Sequence, residues 1–103
     1  MSYYFFKVRY CDQSGTYQRI KVTDIVGKES KNTFRGHLKF TISDSEAYKI
    51  YDKQKALSVL AYMVKHTSKL KLKGMVLDDI TLIRCIEDSA YEHVMVVEVY
   101  NET

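Results

Sequence analysis

Hydrophobic and polar residues alternate with a period of two along the first part of the chain. The alternation is clearest in Tyr3–Tyr10, Tyr17–Thr23 and His37–Thr41. Successive side chains of a β-strand point to opposite faces, so this period is typical of strands in a sheet with one buried face. The three segments are therefore predicted to be antiparallel strands.

The connections between these strands have different compositions. Cys11–Gly15 is polar and ends in glycine, so it predicts a hairpin between the first two strands. Alternation slips near Asp24, because the next two residues are both apolar, and this favours a bulge or a strand end there. Gly27–Thr33 has the composition of a loop.

The two faces of the predicted strands differ in chemistry. The even positions predict a core face: Tyr4, Phe6, Val8, Tyr10, Ile20, Val22, Leu38, Phe40 and Ile42. The odd positions combine aromatic rings with basic groups and include no acid: Tyr3, Phe5, Lys7, Arg9, Tyr17, Arg19, Lys21, His37 and Lys39. We call this second surface the outer face, and it is the best functional clue in the sequence.

A helix is predicted after the third strand. Ser43–Glu46 fits a capping box, in which the Ser hydroxyl and the Glu side chain satisfy backbone donors at a helix start. Apolar residues then recur at spacings of three and four and predict one buried stripe: Ala47, Ile50, Leu57, Leu60, Ala61 and Val64. Lys53–Lys55 interrupts the stripe, so a break near Asp52 into two shorter helices is the alternative.

The last third of the chain is predicted to return to strands. Lys69–Gly74 alternates lysine and leucine and suggests a short edge strand. Asp79–Glu87 and Glu92–Tyr100 are rich in β-forming residues and suggest a closing hairpin. The final strand is apolar on one face and mixed on the other, which favours a central strand or pairing with a second copy in a homodimer.

Together these elements predict one α+β domain over residues 1–103. Its antiparallel sheet of about five strands would carry one principal helix on its apolar face, in the order strand, strand, strand, helix, strand, strand. The length suits one domain, and 46% hydrophobic and 28% charged residues are ordinary for a globular protein.

Charge is distributed unevenly along the chain. Residues 1–76 hold fifteen Lys and Arg against six Asp and Glu, a net +9, whereas residues 77–103 hold one against seven, a net −6. Either the acidic C-terminal hairpin neutralises the basic strands, or separate positive and negative surfaces face solvent.

The sequence shows no motif for a reaction, a metal or a cofactor. His37, His66 and His93 lie on separate predicted elements, and Cys11 and Cys85 have no zinc-ligand spacing. No nucleophile elbow and no clustered glycines of a phosphate loop occur. We therefore expect a protein that is not an enzyme. Without a signal-like start or an apolar run of about 20 residues, a cytoplasmic location is expected.

The outer face predicts binding of an anionic ligand, either single-stranded nucleic acid or a nucleotide. Aromatic rings stack on bases while Lys and Arg contact phosphates. The rings would be Tyr3, Phe5 and Tyr17, and the phosphate contacts Lys7, Arg9, Arg19, Lys21 and Lys39. One alternative is a solvated sheet face without a ligand. Another is a small protein-interaction or inhibitory factor of phage or mobile-element type, acting through protein contacts.

Overall fold

An antiparallel sheet and an α-helix account for most of the chain in the computed structural model. It describes residues 2–30, 33–41, 47–87 and 90–99, with side chains in 2–22, 47–68, 70–86 and 90–99. The strands are β1 (Tyr3–Asp12), β2 (Tyr17–Ser30), β3 (Thr33–Thr41), β4 (Met75–Glu87) and β5 (Ala90–Glu98). The helix α1 is Lys53–Lys65, and a 3₁₀ turn follows at Thr67–Leu70. The predicted α+β class is confirmed.

The first strand in sequence occupies the centre of the sheet. The order is β3-β2-β1-β4-β5, and all neighbouring strands are antiparallel. On one side β1 forms a hairpin with β2, and on the other it pairs with β4 from Tyr3 opposite Cys85 to Asp12 opposite Met75. The edges of the sheet are therefore β3 and β5.

The even positions of β1 and β2 face the core, as predicted. Tyr4, Phe6, Val8, Tyr10, Ile20 and Val22 are all buried and share one cluster with residues of α1 and β4. From α1 this cluster receives Ala56, Val59, Leu60, Tyr62 and Met63. The other even positions of the prediction, Leu38, Phe40 and Ile42, lie outside the described side chains.

The predicted helix start was wrong where the chain is described. Ile50 lies in an extended segment and exchanges two backbone hydrogen bonds with Tyr4, at 2.7 and 2.8 Å. The helix begins after Asp52, whose carboxylate accepts a hydrogen bond from the Gln54 amide at 3.1 Å. This position matches the break proposed near Asp52, while the predicted capping box at 43–46 lies outside the described residues.

The predicted buried stripe of the helix was right at Leu60, which is buried, and at Leu57, which packs against the core, but wrong at its last two residues. Ala61 and Val64 are exposed, whereas Ser58, Tyr62 and Met63 are buried. The prediction set the phase from Ala47 and Ile50, which do not belong to the helix. None of the helices within the described ranges has the length and apolar character needed to cross a membrane.

Two connecting segments also differ from the prediction. Lys69–Gly74 does not form an edge strand, because Leu70 ends the 3₁₀ turn and its carbonyl accepts a hydrogen bond from the buried Tyr10 hydroxyl. The predicted loop at Gly27–Thr33 is largely strand, since β2 continues to Ser30 and pairs with β3. A bulge near Asp24 is present as a shift in register between Val22 and Asp24.

Candidate functional site

Two pairs of basic residues lie directly opposite each other on the outer face. Lys7 of β1 is opposite Lys21 of β2, and Arg9 is opposite Arg19. Residues paired across an antiparallel ladder share a face, so strand pairing brings four predicted site residues into one basic block. Like charges placed directly opposite each other destabilise a sheet unless another group compensates them.

A concavity of about 430 Å³ opens beside the lysine pair. Four sequence-predicted residues line it, namely Tyr3, Phe5, Lys7 and Lys21. The remaining lining comes from the segment before α1 and from β4 and β5: Ala47, Lys49, Ile83, Tyr91 and His93. Its volume falls within the usual range for small-molecule pockets, about 300–1,000 Å³.

Aromatic rings form the apolar part of this concavity. Phe5 is buried and packs in a small cluster with Ile83 and Cys85, so it serves as a floor. Tyr91 is 58% exposed and meets Phe5 edge to face, with ring centroids 5.9 Å apart. Tyr3 contacts Phe5 at 6.1 Å between centroids. Because Phe5 is buried, Tyr3 and Tyr91 offer the more exposed ring surfaces to a ligand.

The charged groups around the concavity are basic. Lys7, Lys21 and Lys49 line it together with His93, and no carboxylate is among its described lining residues. The Lys49 ammonium lies 5.0 Å from the centre of the Tyr3 ring, which is a cation–π contact. Within the part of the chain that the structure describes, neither Lys7 nor Lys21 forms an ion pair with a carboxylate.

Arg9 differs from the lysines because acids of β4 compensate it. Its guanidinium forms ion pairs with Asp78 and Asp79, including Nε–Oδ2 contacts of 2.6 and 3.0 Å. The hydrogen bond to Asp78 is the main reason that the pKa of Arg9 is raised. A shift in register between Arg9 and Tyr10 places both acids beside Arg9. The guanidinium also lies 4.8 Å from the centre of the Tyr17 ring.

The sequence-predicted site residues therefore fall into three groups. Tyr3, Phe5, Lys7 and Lys21 line the concavity. Arg9, Arg19 and Tyr17 lie toward the β1–β2 turn; Tyr17 is opposite Cys11, four residues beyond Lys7 and about 14 Å along the strand. The backbones of His37 and Lys39 belong to β3, opposite Val26 and Asp24, but their side chains lie outside those described.

The acidic hairpin does not lie over the concavity in the described structure. Its strands β4 and β5 extend the same sheet beside β1, and its acids meet Arg9 from the side. The basic surface around the lysine pair and the acidic groups of β4 are thus neighbours within one sheet.

Sequence reasoning missed the part of the site contributed by distant segments. The sequence pattern predicts a helix at Lys49 and places Tyr91 in the turn before the last strand. Both join the site through pairing, since Ile50 bridges to Tyr4 and Tyr91 is opposite Cys85. Alternation in β4 does group Ile83 and Cys85 on one face, but the sequence does not say which strand they adjoin.

The described residues offer no cluster of three His, Cys, Asp or Glu that could hold a metal ion. Cys11 is half-buried, Cys85 is buried, and neither forms a disulfide. Comparisons with protein-family models, with curated proteins and with solved structures returned no match. The function must therefore be argued from the geometry of the outer face.

Proposed function

We propose that this protein binds a ligand that carries both phosphate and an aromatic base, either a nucleotide or a nucleotide unit of single-stranded nucleic acid. The observation that carries the proposal is the opposed pair Lys7 and Lys21, which lines an aromatic concavity. No described carboxylate forms an ion pair with either lysine. An anion placed between the two ammonium groups would remove their repulsion and gain two charge-assisted hydrogen bonds.

The aromatic residues supply the second half of the proposed contact. A base has an apolar face that stacks on exposed rings, with about 1–3 kcal/mol for each base. Tyr91 is the most exposed ring of the concavity and Tyr3 adjoins it through Phe5. In this arrangement the base contacts Tyr91 and Tyr3, the phosphate meets Lys7 and Lys21, and Lys49 lies at the rim.

The ion pairs of Arg9 make it a weaker candidate for phosphate contact than the lysines of the basic block. Arg9 is already held by two carboxylates, so Lys7 and Lys21 are the better phosphate contacts. Arg19 is exposed and extends the positive surface toward the β1–β2 turn. Contacts by Arg9, Arg19, Tyr17, His37 and Lys39 with a longer strand stay predictions.

The proposal is tested by fluorescence anisotropy with labelled single-stranded oligonucleotides and a labelled adenine nucleotide. Lys7→Gln and Lys21→Gln should each weaken binding about tenfold, the loss expected for one hydrogen bond to a charged group. For the oligonucleotide, each substitution should also reduce the slope of log affinity against log salt by about 0.7.

Lys71→Gln is the matched control, because Lys71 is exposed and follows the 3₁₀ turn outside the concavity. It removes the same charge and should leave affinity nearly unchanged. An equal loss in all three variants would mean that binding follows net charge alone and would refute the site. Absence of binding to either probe at low salt would refute the proposed ligand class.

A substitution of the ring separates base recognition from phosphate recognition. Tyr91→Ala should weaken nucleotide binding several-fold through lost stacking. The affinity for inorganic phosphate, measured by competition with the labelled nucleotide, should stay unchanged. If Tyr91→Ala alters neither, the aromatic half of the proposal is wrong.

A further inference from the structure

The strand β5 forms an edge of the sheet and exposes apolar side chains. Its nine residues contain no Pro, Lys or Arg, and Met95 and Val96 are 46% and 50% exposed. Lys and Pro are common guards of natural edge strands, because the unpaired backbone groups of an edge accept another strand. The opposite edge, β3, has Arg35 and Lys39 in its sequence, whereas the charged residues of β5 are Glu92 and Glu98. The two edges are therefore not equivalent.

A bulge in β5 determines which of its side chains share a face. Ile83 is opposite His93, but Leu82 is opposite Met95, so one extra residue lies between these pairs. His93 consequently lies on the outer face with Val96 and Glu98, while Met95 and Val97 lie on the core face. Without the bulge, His93 and Glu98 would point to opposite faces.

These faces favour one particular pairing of β5 with a copy of itself. In a two-fold antiparallel pair centred on Val96, Val96 is opposite its own copy and Met95 is opposite Val97 of the partner subunit. The bulge then places His93 opposite Glu98 of the partner subunit on the outer face. Apolar residues meet apolar residues, and each imidazole meets a carboxylate that it can hydrogen-bond.

The neighbouring registers lack this complementarity. Centring on Met95 places Glu92 opposite Val97, and centring on Val97 places Glu98 opposite Val96. Either choice sets a carboxylate against an apolar side chain.

We propose that β5 is a homodimer interface, in which two copies join edge to edge at Val96 into one continuous antiparallel sheet. The two-fold arrangement pairs the β5 edges of both copies at once, and the β3 strands form the two ends of the joined sheet. The interface does not depend on the ligand proposed above.

Disulfide trapping tests both the interface and its register. Residues directly opposite in an antiparallel pair have Cα atoms about 4.5–5.5 Å apart, a separation that a disulfide can span. In a Cys11→Ser background, Val96→Cys should form a covalent dimer under mild oxidation. Ile86→Cys is the matched control, because Ile86 is also an exposed apolar strand residue, at 40%, but belongs to β4. It should remain monomeric on a non-reducing gel.

Light scattering after size exclusion tests the unmodified protein. The wild type should elute as a dimer and Val96→Lys as a monomer with an unchanged circular dichroism spectrum. His93→Glu should weaken the dimer by opposing two carboxylates, and adding Glu98→His should restore it. A monomeric wild type, or cross-linking of Val96→Cys no faster than that of Ile86→Cys, would overturn the proposal.

Discussion

Removing one lysine of the opposed pair on the outer face should stabilise the protein. Lys7 and Lys21 are direct cross-strand neighbours, and the described residues give neither of them a carboxylate partner. Most surface substitutions in a sheet change stability little or lower it. Lys21→Gln is expected to do the opposite, because it removes a repulsion while retaining a side chain of similar length.

The size of this gain follows from Coulomb's law. Two ammonium groups that stay about 7 Å apart repel each other by about 0.6 kcal/mol in water. At about 0.01 M salt the Debye length is about 30 Å and roughly 0.5 kcal/mol of this repulsion survives. At about 1 M salt the Debye length is about 3 Å and less than about 0.1 kcal/mol survives. The gain should therefore be visible at low salt and vanish at high salt.

Urea denaturation at the two salt concentrations measures the effect, with Lys71→Gln as a control for the change in net charge. Lys21→Gln should raise the free energy of unfolding by about 0.5 kcal/mol at low salt, beyond the control. Adding Lys7→Gln should bring little more, since the repulsion is already gone. A loss of stability at low salt, or a gain that is equal at both salt concentrations, would contradict a repulsion between the two lysines.

Three further predictions concern folding. Tyr10→Phe should cost about 1–3 kcal/mol in urea denaturation, because it leaves the buried Leu70 carbonyl without the tyrosine hydroxyl. Hydrogen bonds from Ser14 lower the pKa of Asp12 below its ordinary 3.8, so the stability that Asp12 contributes is complete above that pH and is lost as the pH falls through the folded value. A titration of unfolding midpoints should therefore show a larger acid-dependent loss in the wild type than in Asp12→Asn. Gly15→Ala should lower the free energy of unfolding by about 1 kcal/mol, because Gly15 has φ +84°, a backbone conformation that strains alanine. The space around Gly15 would admit a Cβ atom, so no clash adds to this strain. An unchanged urea midpoint would contradict this prediction.

The first strands were predictable because their signal is local. Alternation in β1 separates Phe6 and Val8 from Phe5 and Lys7, and burial of the even side chains follows that separation. Phe5 is an exception to this alternation, since it occupies an odd position on the outer face and is nevertheless buried. It is covered by Ile83 and Tyr91, which are distant in sequence.

The rest of the site depends on pairings that alternation does not encode. Tyr91 and His93 line the concavity because β4 pairs with β1 and β5 pairs with β4. This strand order depends on the packing of the whole sheet. The helix start failed for a related reason: Ile50 has the spacing of a helical core residue, but its backbone pairs with Tyr4 instead. Local propensity is overridden where a strand end offers hydrogen-bond partners.

The central position of β1 has a consequence for synthesis on the ribosome. This strand is synthesised before its partner β4, which starts at Met75, opposite Asp12. At about 5–20 residues per second, the gap amounts to about 3–13 seconds during which the β4 side of β1 lacks its partner strand. The nascent hairpin of β1 and β2 then exposes Phe6 and Val8 to other chains. A delay in translation before β4 would prolong this interval, so the yield of folded protein should depend on elongation rate and on chaperones that cover a nascent sheet edge.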